Sequence, residues 1–417
     1  MKEWISMESK DATESKGVGL DISFYILVVF MLFRPLSLVF AQYKLFGLNI
    51  LEYFSVVFSY FLIIPVLFHI RRIKLDIINL SIFLFCGYVL SSILWGSQSR
   101  EIFRILLPFV LFFCSRILLY TSERIKIVLG ATLVGFIYPI LGSFYSILSG
   151  TAVEKLVWRT GIEKQGGIFS RIHPFSHAML IFVFIYSFFI TQLNRNKKLV
   201  KYSLAIIVAI AIYCIYKSHV RTVYLGLLVF CFNYLWHSNK KYFYVFVLGV
   251  LCVSLFNLPQ VERIFWQSPR QDQKTLDQAS SGRVTTWQHN LTAYSDYSLA
   301  QKIGGVGLGG EGEKIIGGKI LVEPSHNDYL TLFMTLGPIG LFLYLVIYLV
   351  LLRDIYFSNI PRLNKYWFLS VVISVLIMNF VSNGYVFRVE LSQFFWLIMG
   401  IFYNQTKSTI VQAQKAK

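Results

Sequence analysis

Apolar runs of about twenty residues alternate with short polar connectors along most of the chain. A membrane-spanning helix needs about 20 mostly apolar residues. About twelve runs approach or reach that length: 22–41, 50–70, 77–95, 102–120, 125–149, 174–192, 200–217, 221–236, 241–257, 329–352, 366–383 and 389–404. The pattern predicts an all-α, polytopic membrane fold. The two runs that flank Lys217 to Arg221 read either as one broken helix or as a tight pair. No repeat of 20 to 50 residues is visible, so solenoid architectures are set aside.

One interval breaks the rhythm. Residues 258–327 are too polar to span, and they divide the chain into helices 1–9 (1–257), a long loop (258–327), and helices 10–12 with a tail (328–417). Acidic and basic residues nearly balance in the loop, which also holds Ile264, Phe265 and Trp266. A solvated linker would hold fewer aromatics. The segment therefore reads as a folded loop on the membrane surface, with a short amphipathic helix over VTTWQHNLTAY.

Composition agrees: 56% of residues are hydrophobic, 14% are charged, and the mean hydropathy is +0.62, whereas about a quarter of a soluble chain is charged. A net charge of +18 would fit nucleic acid if it formed one patch. Instead it falls in connectors such as RRIKLD (71–76), NRNKK (194–198) and RDIYFSNIPRLNK (353–365). By the positive-inside rule these connectors and both termini are cytoplasmic. The connectors 150–173, 217–221 and 258–327 then face outward, which in a Gram-negative cell means the periplasm, where there is no ATP. The first run lacks a small-residue cleavage site after it and reads as an uncleaved signal anchor. The five cysteines lie inside apolar runs without metal-ligand spacing, so neither a disulfide framework nor a zinc site is expected.

The outward connectors gather the chemistry. VWRTG and RIHPFSH bring Arg159, Arg171 and His173; KSHVRT brings Arg221; SSGRVTTW brings Arg283; EPSHNDYL brings His326 and Asn327. Arg221 opens an apolar run, where a snorkelling anchor is the plain alternative to an anion ligand. Arg283 lies clear of a lipid-facing helix end, so snorkelling fits it less well. His326 stands at the start of a helix, where free N–H groups and the dipole favour an anion, and an imidazole titrates near neutral pH, as a general base should. Ser325 and Asp328 have the spacing of a capping box. Arg34 and Arg104 are further candidates for substrate binding, with an ion pair to Glu52 as the structural alternative, and Arg388 and Glu390 lie near the same level. The glycine-rich IGGVGLGGEGEKIIGGK lacks a GK[ST] ending and is rejected as a nucleotide loop. Its glycines are expected to make tight turns near the membrane or a bound lipid. Glu311 and Glu313 are the only hint of a cation site, and no metal is expected.

The order SGR-x-x-x-W (281–287), GGVGLGG (304–310), SHNDYL (325–330) and LGPIGL (336–341) resembles the O-antigen ligase and polymerase superfamily, with RTG…HP (159–174) and SHVRT (218–222) similar to its upstream landmarks. The resemblance covers roughly residues 155–345. It implies a GT-C-like membrane glycosyltransferase of the bacterial inner membrane, with about twelve helices and a large periplasmic loop. It also implies an undecaprenyl-diphosphate-linked glycan donor, a lipid-linked glycan or lipid A core acceptor, inversion at the sugar, and no cofactor or metal. The matching catalytic positions are Arg221, Arg283 and His326. His326 is either the base for the acceptor or a diphosphate ligand. Many ligases of the family carry a second histidine just before the His-Asn pair; here Pro324 and Ser325 occupy that place, which leans the reading toward a polymerase. A flippase for the lipid-linked unit is the alternative of a different class; it would place polar residues near the bilayer midplane in two related halves.

Overall fold

The computed structural model describes residues 2–40, 43–45, 48–69, 73, 75–153, 155–157, 163–193, 198–256, 283–309, 315–316, 319–320, 325–382 and 385–415. Within them each apolar run becomes a helix: α1 (Lys2–Val39), α2 (Ile50–Phe68), α3 (Ile77–Ser91), α4 (Ser99–Leu118), α5 (Ser122–Leu148), α6 (Ile172–Gln192), α7 (Lys198–Ser218), α8 (Arg221–Ser238) and α9 (Lys240–Phe256). After the long loop's α10 (Arg283–Ser295) and α11 (Leu299–Gly304) come α12 (Asp328–Tyr356), α13 (Arg362–Val381) and α14 (Val389–Lys415). Six described helices are both long and apolar enough to cross a membrane: Leu20–Val39, Ile77–Trp95, Ser122–Leu148, Ile172–Gln192, Asp328–Tyr356 and Arg362–Val381. The connectors depart from the all-α expectation in carrying short antiparallel hairpins, β1–β2 (Lys44–Leu45, Leu48–Asn49), β3–β4 (Lys155–Val157, Glu163–Gln165) and β5–β6 (Ile315–Ile316, Lys319–Ile320).

The helices pack as a bundle whose core sets large aromatic side chains among a majority of aliphatic ones, with Phe30, Phe85, Phe112, Phe136, Phe182 and Trp367 fully buried. α4 lies along α14, α1 along α5, and α8 along α13. At the α4–α14 crossing Gly400 comes so close that a Cβ would sit 2.6 Å from the Phe112 carbonyl oxygen. Small residues let membrane helices approach in this way. α7 and α8 are not one broken helix: two residues separate them, α7 packs on α5 and α6, and α8 packs on α13. The end of the bundle with the basic connectors is tied by side chains. Arg116 pairs with Asp76 at 2.7 Å and donates to Asn79 at 2.5 Å, and the Asn404 amide donates to the Ser115 and Leu119 carbonyls.

The described part of the long loop folds against α12. The helix expected over 284–294 is α10, and α11 follows with a capping box between Ser298 and Gln301. After α11 the chain runs alongside a break in α12. Gly337 has φ 67° and ψ 179°, and Pro338 has no N–H to offer the Met334 carbonyl. Donors arrive from outside the helix instead. Val306 N–H donates to Met334 O at 3.1 Å, Gly307 N–H to Thr335 O at 2.8 Å, and the Tyr88 hydroxyl to Leu336 O at 2.9 Å. An unsatisfied carbonyl at membrane depth would cost several kcal/mol. The glycines of GGVG and LGPIGL thus make a backbone joint: Gly305 and Gly337 both have positive φ, and a Cβ on Gly337 would lie 2.1 Å from Ile303 O.

Candidate active site

The described parts of the connectors expected to face outward lie at the same end of the bundle, at the starts of α6, α8, α10, α12 and α14. α10 ties them together, because Arg283 donates to the Val381 carbonyl at the end of α13 and, one turn on, Trp287 Nε1 donates to Ser325 O at 2.6 Å, with its ring against Phe380. The R-x-x-x-W spacing puts both side chains on one helix face.

The SHNDYL segment divides its labour. The expected capping box between Ser325 and Asp328 does not form. Asn327 is the N-cap, its side-chain oxygen accepting from Tyr329 N and Leu330 N, each at 3.0 Å. Ser325 is fully buried; its hydroxyl donates to Asn327 O and meets the Thr331 hydroxyl at 2.8 Å. The buried Asp328 carboxylate accepts from Tyr385 N at 3.1 Å and Val386 N at 3.2 Å, pinning the α13–α14 connector to the start of α12. Tyr329 donates to Leu376 O at 2.8 Å. These side chains turn inward and hold the backbone. His326 alone of the five is exposed.

His326 also has φ 48°, and His219 of the α7–α8 turn has φ 50°; they are the only described non-glycine residues with positive φ. A left-handed residue of this kind costs on the order of 1 kcal/mol or more and persists where its surroundings impose it. Here the Ser325 and Asn327 bonds impose it on one side. On the other, the Ser218 hydroxyl donates to Ile215 O at 2.6 Å and accepts from Val220 N at 3.3 Å.

The charges around His326 are positive. Loss of water, then Arg283 and Arg388, hold its imidazole below the usual value of 6.5. Arg283 is lowered to about 10 by burial and by Arg221. Lys164, on β4, is lowered to about 8 by burial, then Arg221, then Arg283. His173 lies within electrostatic reach of Arg388, His326 and Arg283. Arg283 and His326 are thus within electrostatic reach of each other, Arg283 also of Arg221 and Lys164, and His326 also of Arg388 and His173, so that these groups form one cationic cluster. Three or four clustered cations, partly shielded from water and close to helix starts, suit a polyanionic ligand.

The expected site residues thus fall into three groups. Arg221, Arg283, His326 and His173 come together, and Asn327 lies beneath them as a buried cap. Arg171 is exposed at the N-cap position of α6 without capping it. Arg34 and Arg104 lie elsewhere: Arg34 is fully buried in α1 and donates to Ser37 at 3.1 Å, and Arg104 pairs with Glu101 of its own helix at 2.7 Å. Arg159, Glu311 and Glu313 fall outside the described residues, as do the side chains of Glu52 and Glu390. Lys164 went unmarked by the sequence motifs, and Arg388 was noted there only for its level. Among the described residues no three His, Cys, Asp or Glu side chains are grouped as metal ligands would be. The apolar groove of about 650 Å³ between α8, α9 and α13, lined by Phe232, Trp236 and Phe246 among others, lies toward the opposite end of α8 from Arg221 and lacks these cations.

Residues 206–345 match a family model described as O-antigen ligase. The match runs from α7 into α12 and takes in Arg221, Arg283, His326 and the joint at Gly337. No curated protein matches the chain.

Proposed function

Through residues 206–345 the chain belongs to the O-antigen ligase and polymerase superfamily, and from that premise we propose an inverting glycosyltransferase that joins lipid-linked glycans on the outer side of the inner membrane. The donor is a glycan on undecaprenyl diphosphate. The acceptor hydroxyl attacks the anomeric carbon, the bond from that carbon to the diphosphate oxygen breaks, and the electron pair leaves with the lipid diphosphate. Negative charge grows on that leaving group. Preorganised cations in a site poor in water stabilise such charge strongly, and this is the role of Arg221 and Arg283. His326 takes the acceptor proton. The observation that carries the reading is that His326 alone of its segment is exposed, held in a left-handed conformation within electrostatic reach of Arg283 and Arg388. Those cations favour the neutral imidazole, the form a base requires. The site residues hold no metal in this scheme.

Between acceptors we favour the polymerase, because Ser325 stands before His326 with its hydroxyl committed to Asn327 and Thr331. A ligase to the lipid A core is the second reading, and the family model's own description favours it. A flippase fits less well, since the charged groups gather at one end of the bundle.

The test is a deletion strain complemented with wild type, His326→Ala, Arg283→Ala or Arg221→Ala, its lipopolysaccharide and lipid-linked glycans resolved on gels. Polymerase loss leaves single repeat units. Ligase loss leaves long chains on the carrier and a bare core. Each alanine variant should insert normally and behave as the deletion does; restored glycan in two of the three removes this site.

A further inference from the structure

The groove between α8, α9 and α13 opens toward the end of the bundle that carries the basic connectors, away from the cationic cluster around His326. It exists because α9 packs chiefly on α8. Phe243 wedges those two helices together, its ring edge-on to Phe232 and to Trp236 with centroids 4.9 Å apart in each case. Farther along α9, Phe246 and Val250 line a space of about 650 Å³ together with Leu228 of α8 and Ile373 of α13. That volume lies within the range of ligand cavities, roughly 300 to 1,000 Å³.

The lining is graded along α8. Trp236 and His237 stand at the connector end, Asn233 about one turn of 5.4 Å deeper, and Val229 and Leu228 a further turn in. Cations stand at the mouth. Lys240 Nζ lies 5.6 Å from the centre of the Trp236 ring, and the Arg362 guanidinium lies 5.6 Å from the centre of the Tyr366 ring, which stacks on His237 at 3.8 Å. Among the described residues no carboxylate pairs with Lys240, Lys241 or Arg362. Both α9 and α13 start at this end, and neither has an acidic residue in its first turn.

We propose that this groove binds an anionic glycerophospholipid of the surrounding leaflet. One acyl chain lies between α8, α9 and α13, the ester groups sit at the level of Asn233, and the phosphate lies among Lys240, Lys241 and Arg362. The order of cation, amide and apolar wall matches the lipid's own order of phosphate, ester and hydrocarbon. Trp236 takes the place of an interfacial aromatic at headgroup level. A zwitterionic lipid would bring its own cation into a mouth that already holds three, so net charge decides the choice. Each lysine or arginine beside anionic lipid favours it about fivefold. The site takes no part in glycan transfer and stands or falls apart from it.

Trp236 is 42% exposed and lines the groove, so its indole reports what lies there. The full chain is placed in phosphatidylcholine nanodiscs doped with phosphatidylglycerol or phosphatidylcholine brominated near the head of the acyl chains. The emission that Trp236→Phe lacks is the share of Trp236, and each variant is measured with and without that change. In wild type, brominated phosphatidylglycerol should half-quench Trp236 at a several-fold lower mole fraction than brominated phosphatidylcholine. Lys240→Gln combined with Arg362→Gln should abolish that preference, whereas Lys126→Gln, on α5 at the same end, should keep it. Val250→Phe fills the groove, leaves the cations in place, and should weaken quenching by phosphatidylglycerol. Equal quenching by the two lipids in wild type means that ordinary bilayer lipid covers the groove and overturns the proposal. A wild-type response from Val250→Phe also overturns it, because the lipid then lies outside the groove. So does displacement of the brominated lipid by undecaprenyl phosphate at a lower mole fraction than by plain phosphatidylglycerol, which would make a polyprenyl tail the occupant.

Discussion

At the scale of the residue, the site is built by committing the neighbours of the reactive group. Ser325, Asn327, Asp328 and Tyr329 are each spent on a hydrogen bond, which leaves His326 as the one exposed side chain of the segment. Burial and the surrounding charge set its pH range. Because burial, then Arg283 and Arg388, hold His326 below 6.5, its neutral form persists as pH falls through that value. If it acts as base, kcat/KM should hold at pH 6.5 and fall only in more acid solution. Arg388→Ala removes one repulsive charge and should move that fall upward toward 6.5. An acid limb at or above 6.5 in wild type, or one that Arg388→Ala leaves in place, argues against the base. Arg221, Arg283 and His326 were legible from the sequence because each belongs to a spaced motif on a predicted outer connector. Lys164 was not, since nothing in IEKQGG marks a lysine whose neighbours arrive from α8 and α10. The capping box was misread for a related reason: Asp328 has a suitable local role, but its partners lie at Tyr385 and Val386, and local spacing does not show competition from so far along the chain.

At the scale of the element, the clearest result is the joint between the 303–307 segment and α12. Apolar runs predicted the helices because burial of side chains in lipid or core needs little beyond hydropathy. They did not predict the break, since LGPIGL reads as apolar throughout. Only the φ of Gly337 and the donors from Val306, Gly307 and Tyr88 show that the backbone leaves the helix there. The glycine-rich stretch was expected to make tight turns near the membrane, and its described part does so against a helix. Gly337→Ala combines a strained φ with a Cβ 2.1 Å from Ile303 O, so it should destabilise the protein by roughly 2 kcal/mol or more. Thermal unfolding in detergent, followed by a thiol-reactive dye, would show the loss as a lower melting temperature. Gly249→Ala on α9 is the matched control, because nothing lies within 4 Å of its added Cβ, and it should melt at or slightly above wild type. Equal melting temperatures for the two variants would mean that the joint is not structural.

At the scale of the whole molecule, the two ends of the bundle differ in how they use charge. At the end with the basic connectors, Arg116 pairs with Asp76 and Arg124 with Asp21. The other gathers Lys164, Arg221, Arg283 and Arg388 around His326 and keeps the nearby carboxylate of Asp328 occupied with backbone N–H groups. Paired charge suits a helix end that only has to meet water. A cluster of cations near helix starts suits an anionic ligand. A lipid diphosphate displayed at the outer surface would supply that anion, so the reading requires the cationic end to face outward. In a variant stripped of the five native cysteines, Ser295→Cys on α10 should therefore react with a membrane-impermeant maleimide added to cells with a permeabilised outer membrane. Asn359→Cys, in the α12–α13 connector, should react only after the inner membrane is opened. Both positions are exposed, so a difference between them reports sidedness rather than access. The reverse pattern would put the cluster around His326 in the cytoplasm, where nucleotide diphosphates are the abundant polyanions, and the donor would have to be sought among them.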